Sequence, residues 1–108
     1  MTPKNIDGSD DSFEFAMNLL GTKWTFSILR QLLTGTKRTS ALFQSLKGIS
    51  PRTLAERLRN LESSRIISRR AYAEIPPRVE YSLTDIGLQA HPTVIEITKL
   101  GASWRKEL

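Results

Sequence analysis

Residues 50–63, SPRTLAERLRNLES, place Arg52, Thr53, Glu56, Arg57 and Arg59 at short spacing. A guanidinium carries a planar fork of N–H donors that matches two adjacent acceptors, as on the O6/N7 edge of guanine or on a phosphate. A carboxylate such as Glu56 can accept from an amino group of the kind cytosine presents. A threonine such as Thr53 can meet a thymine methyl or a phosphate oxygen. Lys37, Arg38 and Ser40 lie upstream and Arg78 downstream. These residue types suit the neutralising and reading of a duplex polyanion. Nothing comparable supports catalysis. His91 is the single histidine and precedes a proline, there is no cysteine, and no paired carboxylates, metal-ligand spacing or glycine-rich phosphate loop occurs. An enzyme, a cofactor and a metal are therefore not expected.

The elements that must hold these side chains can be read from spacing. Ser50 is a natural N-cap and Pro51 suits the first helical position. Leu54, Leu58 and Leu61 recur at i, i+4, i+7 and must face a core. That stripe turns Arg52, Glu56 and Asn60 to the opposite side, with Thr53 and Arg59 on the flanks. Arg57 lies at the edge of the stripe, with the reach to turn outward. A preceding helix, capped by Ser40 and carrying Leu42, Phe43 and Leu46, follows a short extended link at 37–39. Lys47-Gly48 then forms the tight turn that a helix-turn-helix requires. Backbone N–H groups at the entrance of that preceding helix, beside Lys37, Arg38 and Ser40, favour a phosphate.

After the arginine-bearing helix, 66–73 and 79–83 have strand character, and Pro76-Pro77 marks the tip of a hairpin. Arg78 at this tip could enter a minor groove or clamp a phosphate. Arg69 and Arg70 point to opposite strand faces, so at most one of them meets the polyanion. A helical pair followed by a basic hairpin is the plan of a winged helix-turn-helix, mainly α with a small β-hairpin wing.

The chain ends supply the rest of the body. Residues 1–10 read as a disordered tail and 11–108 as one domain. Asp11 and Glu14 have the spacing of a capping box for a first helix that Gly21 ends. A second helix, about 23–33, carries Trp24, Ile28 and Leu32 and stops at Gly35; Trp24 reads as core. Thr84 caps a last helical region that Pro92 must kink or divide. Phe13, Phe15, Leu19, Ile95, Leu100 and Trp104 supply more apolar surface than a small core needs. Terminal helices of this kind pair, so a homodimer through the first and last helices is expected.

Charge placement agrees with a nucleic-acid partner. The net charge is +5, yet residues 37–78 hold ten Lys/Arg against three acids, leaving −2 for the remainder. No apolar run approaches the ~20 residues of a membrane span. The polar, acidic N-terminus lacks a signal-peptide core, so no membrane association and a cytoplasmic location are expected.

The segments FEFAMNLLGTKW (13–24), ILRQLL (28–33), GISPRTLAERLRNLE (48–62) and above all YAEIPPRVEYSLTDIG (72–87) resemble the HxlR-type family of winged helix-turn-helix transcription regulators, relatives of MarR-type proteins. The likeness runs from about 11 to 104. It implies a recognition helix at 50–63, a wing around 73–79, a homodimer built by the first and last helices, and a palindromic operator in double-stranded DNA. Many members carry a Cys-Pro pair before the first helix, and some sense oxidants with it. Asp11-Ser12 stands there in this chain, so thiol sensing is unavailable. The family often has an aromatic residue where Thr39 stands. Within this reading a repressor is expected over an activator. If a small-molecule effector acts, a cleft between dimer helices and core, near Trp24, Phe26 and Trp104, is its expected seat. The alternative is a winged-helix protein-interaction module without DNA binding.

Overall fold

A computed structural model describes residues 11–108. The element order is α1 (Ser12–Leu20), α2 (Thr25–Leu32), β1 (Lys37–Arg38), α3 (Thr39–Ser45), α4 (Pro51–Ser63), β2 (Ile67–Tyr72), β3 (Arg78–Leu83), α5 (Asp85–Leu88) and α6 (His91–Glu107). The strands form one antiparallel sheet in the order β1-β3-β2, with Lys37 opposite Tyr81 and Ile67 opposite Leu83. The core lies where α2, α3 and α4 meet the sheet. Ile28, Leu29, Leu42, Leu54, Leu58, Leu61 and Ile67 are buried there. Each such side chain stabilises the fold by roughly 1.5–3 kcal/mol.

The α4 boundaries follow local chemistry. Ser50 is extended, and its Oγ accepts from the Thr53 N–H at 3.0 Å and donates to Thr53 Oγ1 at 2.9 Å. Pro51 occupies the first turn. Ser50→Ala should therefore cost about 1 kcal/mol, read as a lower midpoint in urea denaturation.

The C-terminal end is less expected. Arg65 has φ 62°, its N–H donates to Glu62 O, and the Ile66 N–H reaches back to Leu61 O. This is a Schellman closure with arginine where glycine is usual. Arg65→Gly should raise stability by about 0.5 kcal/mol, the relief of the left-handed conformation less glycine's greater freedom when unfolded. Chemical denaturation measures it.

Several expectations need correction. The Asp11 side chain makes no cap hydrogen bond, and its backbone (φ −81°, ψ 4°) is not extended, so the capping box does not form. The cap of α3 is Arg38, with ψ 152°, and Ser40 lies inside the helix. The expected link at 37–39 is instead a third strand followed by the start of α3. Trp24 precedes α2 in the left-handed region (φ 85°) and is only half-buried against the core. Pro92 does divide the last helical region, as expected: α5 ends before it, and it sits in the first turn of α6. The tail expected at 1–10 lies outside the described residues.

Candidate nucleic-acid interface

The buried leucine stripe of α4 turns Arg52, Glu56, Arg59 and Asn60 away from the core. Arg52 is 89% exposed, and its Nε meets Glu56 Oε1 at 3.3 Å. An exposed i, i+4 pair contributes only ~0.3–0.5 kcal/mol. Its value is geometric: Nε is occupied, which leaves the two terminal nitrogens of this exposed guanidinium for another partner. Glu56 thus orients Arg52 within the same face. Thr53 is half-buried, with its hydroxyl engaged by the Ser50 cap. Arg59 and Asn60 are exposed beside Arg52.

Arg57 is not on this face. It is half-buried in a cleft with Asn18, Leu19, Thr22 and Thr25, and its Nε has no hydrogen-bond partner. One hundred degrees of rotation per residue carries it toward Leu61 and the α1–α2 side, so the expectation that it reaches a base edge does not hold in this geometry.

The wing also differs from expectation. Alternation along β2 and β3 puts Arg70, Tyr72, Arg78 and Glu80 on the outer face, with Arg38 joining across β1 through its partner Glu80. Arg70 and Arg38 are exposed there. Arg78 is not a free tip cation. It is the first residue of β3, its side chain is 26% exposed, and it stacks on the Tyr72 ring at 3.9 Å. It also meets Glu74 at 3.3 Å and Glu80 at 3.7 Å. Two carboxylates and an aromatic face hold it within the hairpin, where it stiffens the wing. The tip itself presents Ile75, fully exposed, before Pro76-Pro77. Lys37 lies opposite Tyr81 on the core side of the sheet and is half-buried, so it does not share a face with Arg38. Arg70 could have been singled out from sequence only with the register that pairs it with Glu80.

The third strand and the placement of α4 define a class: a winged helix-turn-helix, with α3 and α4 as the helical pair and β2–β3 as the wing. No group of three or more potential metal ligands exists among the described residues. None of their helices is long and apolar enough to cross a membrane.

Comparison with known proteins narrows the class. A profile of the HxlR-like helix-turn-helix family matches residues 19–108. A helix-turn-helix-type transcriptional regulator of Synechocystis is 43% identical over 112 aligned residues, covering 99% of this chain and 83% of the relative. The structure of a MarR-family regulator from Porphyromonas gingivalis superposes with a TM-score of 0.81 at 31% identity, over 94% of this chain and 95% of that one. The oxidised form of the redox regulator HypR gives a TM-score of 0.79 at 34% identity, over 84% and 94%. This chain belongs to the HxlR-like helix-turn-helix family, whose members are DNA-binding transcription regulators and not enzymes. Unlike a thiol-based sensor, it contains no cysteine.

Proposed function

We propose that the chain is a cytoplasmic repressor that binds a palindromic DNA operator as a homodimer. The observation that carries this reading is the outward face of α4, where an exposed Arg52 is oriented by Glu56 beside Arg59 and Asn60. In this reading α4 enters the major groove and Arg52 reads a base edge. Arg59, Arg38 and Arg70 neutralise flanking phosphates, and Ser40 near the start of α3 adds a hydroxyl to the same phosphate path.

The dimer is supported by α1 and α6, neither of which buries a single residue within the chain. Phe13, Phe15, Ile95, Leu100 and Trp104 are exposed on them, joined by Ile97. Leu19 is half-buried beside Arg57, which makes it an edge residue of such an interface. Two-fold symmetry sets two α4 helices about 34 Å apart, one DNA turn. A dimer seated on a promoter excludes polymerase without needing a contact to it, which favours repression.

In vitro selection of random duplexes by the purified protein at about 150 mM salt tests the reading, because non-specific binding is weak there. A palindrome with half-sites one turn apart is the expected result. No enrichment from a folded protein counts against it. On the recovered duplex, Arg52→Ala should cost roughly 1–3 kcal/mol and relax one base preference, whereas Arg70→Ala should weaken all sequences alike and lower the salt slope by about one. Fluorescence anisotropy across a salt series separates the two.

A further inference from the structure

A groove of about 620 Å³ runs between α3, α4 and the sheet. Phe43, Leu54, Ala55, Leu58 and Tyr81 form its apolar walls. Phe43 is 41% exposed there, whereas its neighbours Leu42 and Leu46 are buried in the core. The volume falls in the range of small-molecule sites, roughly 300–1,000 Å³. Arg59 and Arg69 also line it, from α4 and from the inner face of β2. Neither is within ion-pair distance of a carboxylate among the described residues, although Glu62 lines the same groove.

The geometry points to an effector site for an amphipathic organic monocarboxylate. Its apolar body lies along Phe43, Leu58 and Tyr81, and its carboxylate is held by Arg69 with Arg59. Guanidinium groups are the natural partners of a carboxylate. The apolar walls set the selectivity: a second acidic group at the far end of the ligand would have to give up its water against Phe43 and Tyr81. The site differs from the cleft expected beside Trp24, Phe26 and Trp104. Within one chain Phe26 lines a space of about 130 Å³ against Val94 and Ile97, and Trp104 is exposed on the face proposed for dimer contact.

The coupling to DNA rests on the reading given under Proposed function. Arg59 sits between the groove and the outward face of α4, so a carboxylate that recruits it removes a phosphate contact. Ligand and DNA must then oppose each other reciprocally.

Octanoate is the probe, with octan-1-ol and octanedioate as comparators, titrated against the purified full chain by calorimetry. Saturable binding with a Kd on the order of 1 mM or tighter is expected for an acid of this size. Octan-1-ol, octanedioate and the Arg69→Gln variant should each be about ten-fold weaker, the loss of one charge-assisted contact. Ala55→Phe, at an exposed position on the groove wall, should abolish binding while circular dichroism shows an unchanged fold. Equal binding of the alcohol, unchanged binding by folded Arg69→Gln or Ala55→Phe, or no saturation overturns the site. None of these readouts uses DNA, so failure of the operator reading appears separately, as absent duplex binding without octanoate. On a bound duplex, octanoate should lower DNA affinity by the factor by which duplex lowers octanoate affinity. Unlinked binding overturns the effector role.

Discussion

Leu100→Asp with Trp104→Asp should leave a folded monomer of 12.2 kDa in place of a dimer, measured by light scattering at micromolar concentration. Both side chains are exposed, Trp104 at 64%, and α6 contributes no buried residue to the fold of its own chain. Their replacement therefore removes nothing that α2, α3 and α4 need, and the melting of the core should change little. The effect on DNA should be large. In the proposed dimer two linked α4 helices bind the second half-site intramolecularly, and losing that linkage lowers affinity by ~10²–10⁴ with no contact to DNA altered. A variant that remains dimeric, or a parent protein that is monomeric, would sink the dimer assignment.

Gly87→Ala is expected to act on the opposite set of contacts. Gly87 is buried in α5, and a Cβ there would fall inside the contact distance of Ile66 O, with the Leu83 side chain 3.1 Å away. Backbone cannot swing aside as a flexible side chain can. The same short stretch is pinned further by Thr84, whose Oγ1 donates to Arg65 O at 2.7 Å and accepts from Gly87 N–H at 3.0 Å. A single methyl should then cost about 3 kcal/mol, the upper part of the usual range for overpacking. Thermal denaturation gives the number. A loss below about 1 kcal/mol would mean that α5 can shift away from the hairpin, as a loosely packed element could. DNA affinity of the residual folded protein should stay near that of the parent, which separates this variant from those on α4.

The legible part of this fold is the part set by short-range periodicity. Leu54, Leu58 and Leu61 define the inner side of α4, and from that side Arg52, Glu56 and Asn60 follow by rotation alone. Ser50-Pro51 marks the start of the helix for equally local reasons. The illegible part depends on partners distant in sequence. Lys37 and Arg38 show only a two-residue strand, too short for an alternation pattern, and its existence depends on Tyr81 and Glu80 across the sheet. Arg78 reads as a free cation until Tyr72, Glu74 and Glu80 are brought around it. Arg57, at the margin of the apolar stripe, could have turned either way, and the position of α1 decides. Gly87 carries no turn signal at all, because its requirement is space beside Ile66.

The junction of α4 with the wing has a mechanical consequence. Only Ser64, Arg65 and Ile66 separate the two elements, and the backbone groups there are held by Leu61, Glu62 and Thr84. No slack exists in which helix and hairpin could move independently, so the two form a single stiff head. Motion can enter at the other end, through α6. At ~1.5 Å per residue its 17 residues make a lever about 25 Å long. A tilt of about 10° at its root sweeps the far end through ~4 Å, a displacement comparable to one base-pair step of ~3.4 Å. A signal need not deform the reading surface at all: in the proposed dimer, about ten degrees of play between two α6 levers would put two intact heads out of step with the DNA helix.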